Sequence, residues 1–386
     1  MGTFTDTPDE APAGLPQWLV RQAHRHGTDI ALRHKYLGIW QVRTWRQVAD
    51  EVHRLAITLQ ARGFSVGATL TIISRPRPQA LLAALAAQWL GGAASLLDPL
   101  QPSSEQVPLL AAIQPEFVLV EGVEQMHRLR AAGISPRVIT YLDKRGLADS
   151  LLFAGAQHYQ GWIAEPPADE LAVPGPAQHT AFVFYRWAAQ AIEQQRVSHG
   201  ELLQEGLRLV EREGLGRQEE ALAARAFASA GQARYLLAPW LIAGFRLNFP
   251  ENLATRDRDR RELGPTLVAG TQETYGRLHK RALERLPEPG TLSRRLADWG
   301  LTTHPGPLQR YLGDWLVRRP LRDVLGFSRT RAPLLVGDAL PPGTQAFFEA
   351  LGIKVRHWGD SAQWEIPSNA VKTTTDDWVE SQSQLA

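Results

Sequence analysis

The chain has 386 residues, 44% hydrophobic and 21% charged, with 42 basic against 40 acidic side chains and a formal net charge of +2. That is enough chain for two or three packed domains, with no apolar run long enough to span a bilayer and no broad basic field for nucleic acid. The absence of cysteine excludes disulfides, thiolate metal sites and a cysteine nucleophile.

Residues 1–14 are polar and acidic, lack the layout of a signal peptide, and are expected to form a disordered leader on a cytoplasmic protein. Leu15–His26 predicts a helix. Ile30–Arg43 predicts a hairpin turning at Leu37-Gly38. Thr44 and Gln47 then form a capping box. Val48, Val52, Leu55 and Leu59 repeat at helical spacing behind it, and Gly63 closes the helix. Strand Leu70–Ile73, helix Gln79–Leu90, strand Ala93–Leu97, helix Ser104–Ile113, strand Phe117–Val120, helix Val123–Ala132 and strand Val138–Tyr141 follow. Such alternation predicts an α/β fold with a doubly wound, mostly parallel sheet.

Ala164–Thr180 is rich in proline and polar residues and reads as a linker. It divides a first α/β half, 15–163, from a second, 181–366, with a polar tail at 367–386. The second half opens with strand Ala181–Tyr185, a connection Arg186–Val197, and a helix whose start is marked by Ser198 and Glu201, another capping box. A strand leading into a helix N-terminus is a common phosphate cradle, but a tight cradle needs glycines. This connection has no glycine, proline or lysine. Alternation resumes with helix Gly231–Ala243, strand Phe245–Phe249, helix Leu253–Leu263, strand Thr266–Ala269 and helix Glu273–Leu286. Arginines across Arg256–Arg261 alternate with Asp257 and Asp259, which reads as a solvated helix face. Helix Pro341–Leu351 and strand Ile353–Trp358 end the pattern.

Several stretches resemble the adenylate-forming, or AMP-binding, family, in its long-chain acyl-CoA synthetase branch. The family's phosphate loop runs from an apolar strand through Y-[ST]-S-G-T-T-G-x-P-K-G-V to S-H-x-N-L. Here the strand, Tyr185 and the segment from Val197 through Ser198, His199 and Gly200 to Leu203 are kept. Arg186, Trp187 and Gln190 lie in a rewritten loop. WLGGAASLLDPLQPSSEQVPLLAAIQPEFVLVEG and FPENLATRDRDRRELGPT match further family stretches in order. The family's Pro-Arg pair is replaced by Thr271-Gln272. Its G-G-A-x-L strand end, which flanks adenine, corresponds to Gly337-Asp338-Ala339-Leu340, and its Y-G-x-T-E to Trp358-Gly359-Asp360-Ser361-Ala362. The resemblance covers about residues 15–365. It reaches neither the family's β-barrel portion nor the C-terminal domain with its catalytic lysine.

The resemblance implies the two-half fold of the large N-terminal domain of acyl-CoA synthetases. It also implies that the phosphate loop, the magnesium glutamate and the second lysine are all missing. No catalytic residue, no metal ligand and no cofactor are therefore expected, although Asp338, Asp360 or Glu365 are the carboxylates nearest to a magnesium role. Ligand-binding candidates are Gly337, Asp338, Ala339, Trp358, Gly359, Asp360 and Ser361, with core or capping roles open for Trp358 and Ser361. His199 reads as structural. Three functions stay open: a catalytically inactive subunit, scaffold or ligand sensor; a residual or split ATP-dependent acyl-CoA ligase, using ATP, magnesium and CoA; and a nucleotide- or acyl-binding module. The first implies a homo-oligomer or protein complex, with Leu301–Trp315 as a contact surface. None implies nucleic acid.

Overall fold

In the computed structural model, residues 13–147, 153–164, 179–188, 191–302, 306–359 and 363–366 are described. Most of the expected leader and of the 164–180 linker lie outside them, as do the tail, Gln190, Asp360 and Ser361.

The chain enters through helix Leu15–His26 and the hairpin of β1 (Ile30–Tyr36) and β2 (Ile39–Thr44). The two turn residues, Leu37 and Gly38, both have positive φ, at 49° and 77°. That is the twist a two-residue hairpin needs. Thr44 Oγ1 accepts from Gln47 N at 3.3 Å while Gln47 Oε1 accepts from Thr44 N at 2.9 Å, closing the expected capping box. The helix that follows, Trp45–Ala61, buries Val48, Val52, Leu55 and Leu59.

The remaining strands are β3 (Thr69–Ile73), β4 (Ala93–Leu97), β5 (Phe117–Val120), β6 (Val138–Tyr141), β7 (Gln157–His158), β8 (Thr180–Ala188), β9 (Ala191–Ser198), β10 (Glu220–Leu222), β11 (Arg246–Phe249), β12 (Leu267–Gly270), β13 (Ala332–Val336) and β14 (Arg356–Trp358). They form two seven-stranded sheets, ordered β7-β6-β5-β3-β4-β8-β9 and β14-β13-β12-β10-β11-β1-β2. Each has six parallel strands and one antiparallel edge strand, β9 or β2. In both, the first strand of the βα series lies between the second and third. The crevices where the winding reverses are therefore β3/β5 and β10/β12.

Sheet membership does not follow the linker. The 180–198 hairpin joins the sheet built from 69–158, and the 30–44 hairpin joins the later one. Hydrophobic patterning marks a strand but not its neighbour, so this exchange was hidden. One apolar core links both sheets through helices Trp45–Ala61 and Pro78–Trp89. Trp45 stacks on Trp240 with centroids 4.8 Å apart, and Trp240 Nε1 donates to Ala31 O at 3.0 Å.

Two local expectations need correction. Arg256–Leu263 is a helix, but its charged run is not simply solvated: Asp259 and Arg260 are buried. Lys35 of β1 bonds Asp259 and Glu262, and Asp257 gathers Arg260, Arg277 and Arg281. Opposite charges at close range let this helix pack inward. The helix expected at Gly231–Ala243 is interrupted by a π segment, Ala233–Leu237. Tyr235 lies within that segment.

Candidate functional site

The region corresponding to the phosphate loop is a regular hairpin. Tyr185 faces Gln194, Arg186 faces Glu193, Trp187 faces Ile192 and Ala188 faces Ala191 in one continuous antiparallel register. Opposed residues in such a ladder direct their N–H groups across to the other strand or outward to either side, in alternation. They do not converge on one point, as a phosphate cradle requires. Side chains lock the same register. Arg186 and its opposite partner Glu193 form an ion pair at 2.7 Å, and Trp187 Nε1 donates to Glu105 O at 2.8 Å. Tyr185 packs against the core around Ile73 and Val107, and burial raises its hydroxyl pKa.

The outer edge of β9 is covered as well. Gln194 and Glu365 exchange two backbone hydrogen bonds, at 2.8 and 2.9 Å, and the Arg186 guanidinium lies over the Trp364 ring at 4.2 Å. Residues 363–366 thus tie the hairpin to the segment that leaves β14. This arrangement does not fit a triphosphate. The Arg186 guanidinium is held by a carboxylate and an indole, and the backbone is paired.

The other sequence candidates sit at the ends of β13 and β14. Gly337 has φ of 89°, its N–H reaches Trp358 O at 3.3 Å, and its carbonyl accepts from His357 Nε2. Asp338 and Ala339 are exposed. Trp358 is only 4% exposed and belongs to the core. Its ring neighbours are Tyr235, at 5.6 Å, and the guanidinium groups of Arg208 and Arg212, at 5.7 and 5.1 Å. The Tyr235 hydroxyl donates to Gly359 O at 2.7 Å. Trp358 and Gly359 are thus drawn together by the π segment and by helix His199–Glu213, which enclose the ring a ligand would stack on.

Ser198 Oγ accepts from Glu201 N at 3.2 Å, so the capping box at that helix start is present. His199 is buried, and its Nδ1 accepts from Leu15 N at 3.3 Å. Burial, with the nearby His179, lowers its pKa to about 4. It holds the start of the first helix, which leaves no exposed imidazole for chemistry there.

Both crevices hold residues that sequence reasoning missed. At β3/β5, Glu121 binds Arg75 and Arg77, each at 2.7 Å, and accepts from Ser74 Oγ at 2.8 Å. His34 faces this cluster from β1. Its pKa is lowered to about 4 by burial and by Arg77 and Arg43. At β10/β12, Arg225 bonds Glu273 at 2.6 Å and Thr271 Oγ1 at 3.1 Å, beside a buried Gln232. Glu273 is held below its usual range by the hydrogen bond from Arg225. The signal available in the sequence was position alone: Ser74, Arg75 and Glu121 directly follow buried strands. Among the described residues, no group of three His, Asp or Glu is arranged to hold a metal ion, and no helix is long and apolar enough to cross a membrane.

The family pattern described as AMP-binding enzyme matches residues 19–185. No curated protein matches the chain by sequence. Among solved structures, the chain is similar to the A-PCP didomain of carboxylic acid reductase from Segniliparus rugosus in complex with AMP. There the TM-score is 0.69 at 13% identity, covering 92% of this chain and 53% of that one. It is similar to O-succinylbenzoate coenzyme A synthetase (MenE) from Bacillus subtilis in complex with AMP, with TM-score 0.60 and 15% identity over 88% and 71%. It is also similar to the Klebsiella oxytoca NpsA N-terminal subdomain in complex with 3-hydroxybenzoyl-AMSN, with TM-score 0.59 and 13% identity over 94% and 78%. The chain thus spans about half to four fifths of these structures. Residues 19–185 thus match the AMP-binding enzyme pattern, and over its described length the chain has the fold of the large N-terminal domain of adenylate-forming enzymes.

Proposed function

We propose that this chain is a non-catalytic adenylate-forming-fold protein that acts as a subunit or scaffold. The observation that carries the reading is the hairpin of β8 and β9. Its in-register pairing runs through Ala188 and Ala191, and the Arg186 guanidinium is tied to Glu193 and Trp364. Adenylation develops charge on transferring phosphoryl oxygens and needs donors preorganised toward it. A paired ladder offers none in convergence. A surface role has its own support: Leu292, Leu296, Trp299, Tyr311, Trp315 and Leu316 are exposed across helices Leu292–Gly300 and Pro307–Gly313 and the turn that follows. Clustered exposed apolar groups of this kind mark interaction surfaces.

The test is carboxylate-dependent exchange of labelled pyrophosphate into ATP, with acetate, medium-chain, long-chain and aryl carboxylates and magnesium. No exchange above a buffer blank is expected. Exchange with any of them would refute the reading and favour a residual ligase. Exchange that appears only when a second polypeptide is added would favour a split ligase. A thermal-shift series with ATP, AMP, CoA and acyl-CoA separates a scaffold, which should not respond, from a ligand sensor, which should be stabilised by about 2.7 kcal/mol at a hundredfold excess over Kd.

A further inference from the structure

Away from both crevices, the amino-end edge of the second sheet carries a hollow of about 270 Å³. One face of helix Leu15–His26 supplies Trp18, Arg21, Gln22, Arg25 and His26; Arg217 and the pair Ile242 and Ala243 close it. His26 precedes β1, Arg217 precedes β10, and Ala243 precedes β11, so this edge is opposite to the one where Gly337 and Trp358 lie. None of the eight lining residues is a carboxylate, while three are arginines.

Its parts are held in place. Arg217 donates to Asp29 Oδ2 at 3.1 Å and to His26 Nδ1 at 3.2 Å. The Arg21 guanidinium lies over the Trp18 ring at 5.2 Å. The Gln22 amide nitrogen donates to Leu241 O and Ile242 O, whereas its buried oxygen has no hydrogen-bond partner among the described residues, nor has Trp18 Nε1. Arg21 and Arg25 stand four apart on the helix, a like-charge spacing that is unfavourable by itself. A helix C-terminus offsets part of that repulsion at Arg25, but it does not bring Arg217 in from another element. Arginines brought from two elements to an amphipathic hollow, with the Arg217 charge shared with Asp29, suit an oxyanion.

We infer that this hollow binds a small, multiply charged oxyanion, a phosphate- or carboxylate-bearing metabolite whose uncharged part lies against Trp18 and Ile242. The site is independent of the loop that replaces the phosphate cradle, and its occupancy does not depend on whether the chain is catalytic.

The experiment is isothermal titration of the full chain with inorganic pyrophosphate and, separately, citrate, at constant ionic strength. The expected result is saturable one-site binding of at least one of them. Arg25→Glu and Arg21→Gln should each weaken it about tenfold or more, with the unliganded chain still folded by circular dichroism. Arg295→Glu, an equal charge change on a distant exposed helix, should leave it intact. Pyrophosphate alone binding would assign the hollow to phosphates, and citrate alone to carboxylates. No saturable binding of either anion, or equal weakening by Arg295→Glu, would overturn the inference.

Discussion

The two sheets repeat one topology with opposite treatment of the same positions. In each, five parallel strands keep the same winding order and a hairpin is added beside the second strand. In the first sheet the hairpin's edge, β9, is covered by residues 363–366 and stapled by Arg186, Glu193 and Trp187. In the second, the edge strand β2 leaves Ile39 and Val42 exposed, with Tyr36 and Leu37 at its turn. The crevices differ in the same sense. The Glu121 side chain is 9% exposed and holds two arginines; the Glu273 side chain is 67% exposed and holds one. Topology therefore sets where a polar residue stands, while burial sets how much it contributes.

The sharpest test of that statement removes one carboxylate from each crevice. Glu121→Gln would leave Arg75 and Arg77 beside each other in a largely buried setting, and is predicted to cost about 3 kcal/mol. Glu273→Gln breaks an exposed pair and should cost about 0.5 kcal/mol. Urea unfolding at pH 7 measures both. Equal losses would break the comparison.

The next effect is on pH. His199 has a pKa of about 4 in the fold against 6.5 in the unfolded chain, and His34 behaves alike. The unfolded chain takes up these protons first. Stability is therefore intact above about pH 6.5 and is lost as pH falls toward 4, by up to about 3 kcal/mol for His199. Unfolding midpoints at pH 7 and pH 5 should differ, and His199→Gln should reduce that difference. A slope that survives both His199→Gln and His34→Gln would assign it elsewhere.

Much of the fold was legible because its signals are local. The Thr44 and Ser198 caps, the helical repeat of Val48, Val52, Leu55 and Leu59, and the strands Phe117–Val120 and Val138–Tyr141 depend on neighbours in sequence. What stayed hidden depends on partners far along the chain. Nothing in Arg186–Val197 announces that Arg186, Trp187 and Ala188 pair with Glu193, Ile192 and Ala191. The charges of Arg256–Arg261 look solvated until Lys35 is placed against Asp259. Trp358 is a plausible stacking surface in sequence; its enclosure by Tyr235, Arg208 and Arg212 comes from residues 123 to 150 positions earlier. The repeated winding of the two sheets has no sequence repeat behind it, because parallel strands need only be apolar.

A smaller effect tests the cover on β9. Trp364→Ala removes the ring under Arg186 and should cost about 1 kcal/mol. Its more specific signature is faster hydrogen exchange at the Gln194 amide, which now donates to Glu365 O. An unchanged exchange rate would mean that the two backbone bonds hold the strap without the ring.

The smallest expected change in stability comes from the uncovered edge, and it carries the comparison furthest. Val42 is exposed on β2, the last strand of its sheet, so Val42→Lys should shift the unfolding free energy by no more than about 0.5 kcal/mol. An unpaired edge flanked by apolar side chains is a ready template for another strand, and lysine is a residue that blocks such pairing. If copies of this chain meet there, sedimentation velocity should show concentration-dependent association in the parent chain and less of it in the variant. The corresponding change on the covered edge, Gln194→Lys, should leave association as it is. Association that persists unchanged in Val42→Lys would remove β2 from the contact and direct attention to the exposed helices around Trp299 and Trp315.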